Sequence, residues 1–466
     1  MTPHPGDTAV PPWLVSALHY LPQWLQFQMR QHDEPGCAVA VVHRGRVVLD
    51  EAYGMADRVR AEPLTPRHRW RAASHSKTVA AVAIMKLRER GQLQLDEAVG
   101  RHIGGLHPML ARATIAQLLS HTAGTTRDGP DAGFYEDRRP FLGAAELRTL
   151  LAQPPTIDAN TRFKYSNLGY GLLGLVIEAL TGEPYTQWVQ REVIDAADLA
   201  DTTADALVAS DAPLARGHGS RLLGQRVVMR SDTPVQAMAP TIGLVTTASD
   251  LARFYAQLAP DTSTSLLSVD SRREMVRRQW RDPHSPIERY YGLGIASGSL
   301  AGWDWFGHYG NFPGIASRTV VLPALQLSLA ILGNAIDARS HSWVDGAVHL
   351  LATFARRGAP APKLPDAWQG RWWNHWHVID LVPMGERVLV ANPLQLQPFA
   401  DVAELEVDGD HGRIALGWGY ANHGEPARLV CDDHGRVTEV WLGGWRYLRE
   451  AQAAAEVAAR YGAGEG

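Results

Sequence analysis

A proline-rich stretch, Arg357-Gly358-Ala359-Pro360-Ala361-Pro362-Lys363-Leu364-Pro365, separates two parts of the chain that differ in pattern. Prolines this dense lack the N–H groups that a helix interior or a central strand needs, so a domain boundary is expected there. The 466 residues suffice for two domains with cores of their own. The expected division is a main domain over 1–357, a linker over 358–366, a small β-rich domain over 367–450 and a helical, fraying tail over 451–466.

Before the break, apolar residues recur at helical spacing over 12–31 and again from Val79 to Leu87, where Gly91 is the stop. Thr114-Ile115-Ala116-Gln117 has the spacing of a capping box and should open a short helix stopped by Gly124. A further helix is expected from about Leu168 to Thr181, ended by Gly182, and another after Thr247-Ala248-Ser249-Asp250. Residues 37–42 and 46–49 flank turn residues and read as a hairpin. Strands are expected again at 291–295, 303–308, 315–322 and 327–332, with a last helix over 343–354. Strands at both ends with helices between them argue for one α+β domain whose sheet joins those ends.

After the break, strand-like runs at 372–381, 387–391, 403–407, 413–418, 428–430 and 438–442 are separated by Asp408-Gly409, His411-Gly412, His434-Gly435 and Gly443-Gly444. This spacing predicts a small all-β barrel or sandwich. Trp368, Trp372, Trp373, Trp376, Trp418, Trp441 and Trp445 are expected to fill its core rather than line a pocket. His375 and His377 would share one strand face, but no third ligand lies near, and no metal site is expected. Cys37 and Cys431 sit in apolar runs of different domains and are read as buried free thiols.

A formal charge of −4, with Lys+Arg at 45 against Asp+Glu at 49, gives no footprint for nucleic acid or an anionic membrane surface. No uninterrupted apolar run is long enough to span a bilayer. Met1 to Asp7 lack a basic region and an apolar core, so no signal peptide is read and a cytoplasmic location is expected, or a secreted one if a leader has been removed.

The chemistry concentrates in three places. Ser74 opens the helix that contains Val79 to Leu87, where unpaired backbone N–H groups and the helix dipole favour developing negative charge. Lys77 lies one turn on and can reach the Ser74 hydroxyl, which makes a candidate nucleophile with its base. Tyr165-Ser166-Asn167 precedes the 168–181 helix; the phenol can carry a proton and Asn167 can hold a lysine or an amide. Gly307-His308-Tyr309-Gly310-Asn311 is placed at the end of a strand, where Gly310 would admit a substrate and His308 supplies a titratable group. His121, beside Ser120, is read as structural. The Gly-x-Ser-x-Gly elbow of α/β-hydrolases is not found.

Ser74-x-x-Lys77, Tyr165-x-Asn167 and His308-x-Gly310, in that order, resemble the three motifs of the serine β-lactamase and penicillin-binding-protein superfamily. The variants are similar to its class C-like branch with esterases and D-amino-acid peptidases. Gly91 to Asp96, Gln117 to Gly124 and Gly243 to Leu251 resemble connecting sequence of that family, so the likeness runs from about 35 to 355. It implies an α+β domain with an antiparallel sheet flanked by helices and a helical subdomain. It further implies Ser74 attack on a carbonyl, proton transfer shared by Lys77 and Tyr165, and an oxyanion hole from the amides of Ser74 and Asn311. Asn167 and Gly310 would bind or orient the substrate, His308 would orient it or help Tyr165, and no cofactor is implied. Because His308 stands where lactamases carry a charged lysine, ester or small amide and peptide hydrolysis ranks above β-lactam hydrolysis. A D-stereospecific peptidase or transpeptidase, or a scaffold without turnover, are the alternatives. The C-terminal β domain could cover the active-site mouth or mediate a homo-oligomer.

Overall fold

The computed structural model describes residues 9–206, 210–283, 288–417 and 422–462. The first helix, α1 (Pro12–Gln31), starts with proline at its first position, where a missing N–H costs nothing. It buries Leu14, Leu21, Trp24 and Leu25.

A nine-stranded antiparallel sheet organises residues Asp33–Val344, which form one compact unit. Its strands are β1 (Gly36–His43), β2 (Arg46–Asp57), β3 (Glu62–Pro63), β4 (Trp280–Arg281), β5 (Arg289–Tyr291), β6 (Ala296–Leu300), β7 (Trp303–Phe312), β8 (Ile315–Leu322) and β9 (Leu327–Gly333). Their order is β3-β2-β1-β9-β8-β7-β6-β5-β4, so β1 pairs with β9 and the sheet does join the two ends of the segment. Strands β1, β8 and β9 are buried at every position, which is why β1 and β9 read as near-continuous apolar runs rather than alternating ones.

Between β3 and β4 come the helices that carry the site. These include α2 (His75–Glu89), α3 (Ile115–Leu119), α4 (Asn167–Thr181) and α5 (Ala248–Ala256). The Thr114 capping box is complete: Thr114 Oγ1 accepts from the Gln117 amide and Gln117 Oε1 accepts from the Thr114 amide. The Ser166 side chain caps α4 and Gly182 ends it at φ +72°. Helix α3 stops earlier than Gly124, because His121 already takes a left-handed φ of +59°.

The strand expected at 291–295 is a connection between β5 and β6, closed by Gly292 N–H to Ile295 O at 2.8 Å. Gly294 has φ +73°, and a Cβ there would lie 2.4 Å from Ala81 Cβ of α2.

Residues up to His32 and those from Asp345 onward form the second compact unit. The division therefore falls inside α6 (Ser340–Arg357) rather than at the proline-rich stretch. Eight antiparallel strands, β10 (Gly370–Trp373), β11 (Val378–Met384), β12 (Arg387–Ala391), β13 (Ala403–Asp408), β14 (His411–Leu416), β15 (Pro426–Cys431), β16 (Val437–Leu442) and β17 (Trp445–Leu448), form a closed barrel. Closure comes from Trp373 pairing with Leu448 and leaves no open edge. The last helix, α7 (Glu450–Tyr461), follows.

Several expectations change in the barrel. The run 372–381 is two strands, because Asn374 Oδ1 accepts from the amides of Trp376 and His377 and turns the chain. His375 and His377 therefore sit on a turn and not on a strand face. His411 and Gly412 belong to β14, and the hairpin turn is Gly409-Asp410. Trp368 and Trp372 do fill the core, but Trp376 is exposed and Trp445 partly so; Trp418 lies outside the described residues. Cys37 is buried as expected, whereas Cys431 is exposed on β15. Among the described residues no helix is long and apolar enough to cross a membrane, and no three metal-ligating side chains converge.

Candidate active site

Ser74 stands at the N-cap of α2, and the residue before it, Ala73, is held at φ +52°. A non-glycine residue in that region is strained, and here the strain sets the angle at which the chain presents Ser74. Among the described residues the Ser74 amide donates no backbone hydrogen bond, so it is free to meet an oxyanion.

Lys77 lies one turn into α2, fully buried, with Nζ 3.0 Å from Ser74 Oγ and 3.1 Å from the Thr241 carbonyl oxygen. Burial pushes its pKa well below the usual lysine value, and the Asp128 carboxylate only partly opposes this. A neutral amine within hydrogen-bond reach of a serine hydroxyl is a general base.

Tyr165 approaches from the segment before α4, with Lys77 Nζ 4.8 Å from its ring centre. Desolvation raises the phenol pKa well above 10.0, Tyr309 adds to the rise, and the Ser74 hydroxyl works against it. Tyr165 thus keeps its proton and can donate it. Asn167, the first residue of α4, is buried; its Nδ2 donates to Asp128 Oδ1 at 2.5 Å and to the Tyr135 hydroxyl at 3.0 Å. The Asp128 contact fixes which way the amide faces, because a carboxylate only accepts. Asn167 Oδ1 is left buried with no acceptor role filled.

The third motif faces away from the cavity. Along β7, side chains alternate, so His308 and Gly310 share one face while Tyr309 and Asn311 share the other. His308 is buried, its Nδ1–H donates to the Tyr309 carbonyl at 2.8 Å, and its Nε2 accepts from the Tyr291 hydroxyl at 2.8 Å. Burial, with Lys77 nearby, pushes its pKa down to about 3. The residue is a neutral strut and not the substrate-facing group that was expected. Gly310 likewise serves packing: a Cβ there would lie 2.1 Å from the Ala72 carbonyl oxygen. Space for the chain entering α2, rather than for a substrate, requires glycine.

A cavity of about 530 Å³ opens above these groups, lined by Ser74, Tyr165, Asn167, Tyr309, Asn311 and, among others, Arg127 and Arg289. Arg289 is paired with buried Asp282 and stands 4.9 Å from the Tyr309 ring centre, and Arg127 Nε lies 3.1 Å from Asp128. Asp128, Tyr135, Thr241, Tyr309 and the two arginines were not picked out from the sequence. For Tyr309 the signal was present, since strand alternation alone turns it opposite to His308.

The chain matches the model of the family described as Beta-lactamase over residues 21–341. It belongs to the β-lactamase family. It is 31% identical to Esterase EstB of Burkholderia gladioli over 171 residues, 34% of this chain and 43% of that protein. The chain spans roughly a third to two fifths of the length of curated relatives it matches. The structure of an octameric penicillin-binding protein homologue from Pyrococcus abyssi superposes with a TM-score of 0.65 at 21% identity, over 93% of this chain and all of that one, which shows the shared fold. A D-stereospecific amidohydrolase from Streptomyces sp. superposes with a TM-score of 0.56 at 26% identity, over 69% of this chain and 94% of that one. The structure of a class C β-lactamase from Rhodobacter sphaeroides superposes with a TM-score of 0.61 at 20% identity, over 72% of this chain and 99% of that one, which again shows the shared fold.

Proposed function

We propose that the protein is a serine hydrolase that forms an acyl-enzyme on Ser74 and acts on esters or small amides. The observation that carries this is the buried Lys77 amine 3.0 Å from Ser74 Oγ, its pKa lowered by burial, with Ser74 itself on the wall of a 530 Å³ cavity. Lys77 takes the serine proton as Oγ attacks the substrate carbonyl, and the Ser74 amide, with that of Asn311 at the rim, receives the oxyanion. Tyr165 gives its proton to the leaving group and recovers one from the Lys77 ammonium. Water then attacks the acyl-enzyme with the same groups working in reverse. The likeness to Esterase EstB supports esters as substrates.

Amide hydrolysis is the second reading, favoured by the buried, unfilled Asn167 Oδ1, which would accept an amide N–H. His308, which stands where lactamases carry a charged lysine, is buried and offers the cavity no such cation, which keeps β-lactams behind both. The test is Ser74→Ala against wild type on aryl esters, D-amino-acid amides and cephalosporins, with intact-mass detection of a fluorophosphonate adduct. Loss of turnover and adduct in a folded variant is expected. Turnover that survives, or cephalosporins hydrolysed far faster than esters, would overturn the assignment or its ranking.

A further inference from the structure

His121 plays no part in the chemistry above, yet it is buried, holds the backbone on both sides of Tyr165 and lies against the Tyr165 ring. Its carbonyl accepts from the Lys164 amide at 2.8 Å, and its Nδ1 accepts from the Ser166 amide at 3.1 Å. The residues on either side of Tyr165 are therefore both tied to this one histidine. Its ring lies 4.1 Å from the Tyr165 ring, centre to centre, at 34°. No other pair of backbone amides flanking a catalytic side chain in the cavity is held in this way among the described residues. The backbone is bent to allow it, with His121 at φ +59°, and strain of that kind persists where surrounding structure imposes it.

Because Nδ1 accepts, the ring proton resides on Nε2. The titratable groups facing the ring are Tyr165 and Tyr170 from the α4 side, Tyr291 from β5, His308 from β7 and Lys77 from α2, and the apolar Phe163 ring meets it edge-on. Burial above all disfavours the imidazolium, whose Nδ1 could not accept from the Ser166 amide at all.

We infer that His121 is a positioning residue for the proton donor: as the Nε2–H tautomer it fixes the backbone on both sides of Tyr165 and supports the ring, so that the phenol meets the leaving group. This rests on the reading of Tyr165 as that donor, and the leaving group supplies the test. A p-nitrophenolate departs without a proton at neutral pH, whereas an alkoxide or an amine needs one.

His121→Ala should therefore slow acylation by alkyl esters or anilides about tenfold or more, and by p-nitrophenyl esters less than about threefold, with KM little changed. His121→Asn keeps an acceptor near the Nδ1 position and tolerates the left-handed backbone, so it should restore most of the lost rate. It also serves if the alanine variant does not fold. Tyr165→Phe should show the same discrimination, and His121→Ala added to Tyr165→Phe should cost nothing further. Equal losses on both leaving groups in the His121 variants, or additive losses in the double variant, would overturn the inference while leaving Tyr165 in its role. Absence of discrimination in Tyr165→Phe itself would overturn both.

Discussion

Lys77 can accept the Ser74 proton only when it is neutral, and burial favours that state by lowering its pKa. The sign of the pH dependence follows. As pH falls through the lowered value the amine becomes charged and the base is lost, so kcat/KM falls along an acid limb. On the alkaline side Tyr165 must keep its proton, and since its pKa is raised the rate should hold up to about pH 10, the ordinary tyrosine value. His308 should add no inflection near its usual 6.5, because it stays neutral down to about 3. A pH–rate profile on an aryl ester checks all three; an inflection near 6.5 that disappears in His308→Gln would contradict the assignment of His308 as a strut. Ser74 and Lys77 could be singled out from residue type and helical spacing, and the fold brings them within 3.0 Å of each other beside Tyr165. His308 was misread because a motif names a residue without saying which face of its strand it occupies.

Strand β7 makes the same point one level up. Its alternation splits the third motif between two jobs, with Tyr309 and Asn311 on the cavity and His308 and Gly310 against the chain that leads into α2. The close approach of Gly310 to Ala72 brings β7 beneath the strained Ala73 and so helps aim the nucleophile. Gly310→Ala should cost about 2 kcal/mol or more of stability, because the Cβ meets backbone that cannot swing aside. It should also lower kcat for every substrate regardless of leaving group. Denaturant titration and turnover of p-nitrophenyl esters measure both, and a variant with wild-type stability and rate would show that the strand has room to yield. Helix ends were legible at this scale, since Thr114 with Gln117 and Ser166 write their caps locally. The 292–295 and 374–377 turns were not, because apolar and aromatic residues there imitate strand continuity.

At the scale of the whole molecule, the helix that begins the described chain belongs with the barrel that nearly ends it. Tyr20 of α1 donates to Asp380 Oδ2 of β11 at 2.8 Å across 360 residues of sequence. Arg371 of β10 donates to both oxygens of the same carboxylate at 2.7 Å. Trp24 Nε1 and Gln28 Nε2 reach the carbonyls of Gln395 and Pro393. A contact this long in sequence leaves no periodicity behind, so the proline-rich stretch looked like the boundary while α1 looked like part of the main domain. Asp380 is buried, and removing its charge leaves Arg371 without its bidentate partner and Tyr20 with a weaker acceptor. Asp380→Asn should therefore destabilise the protein by about 3–5 kcal/mol, the range for breaking a buried pair from one side. Asp380 lies in the unit that does not contain Ser74, so ester turnover measured well below the melting temperature should be unchanged. Urea unfolding followed by tryptophan fluorescence, with turnover measured on the same samples, separates the two effects. Loss of turnover in a fully folded Asp380→Asn would show that the α1–barrel unit acts on the site, and unchanged stability would show that the Tyr20–Asp380–Arg371 cluster does not hold α1 in place.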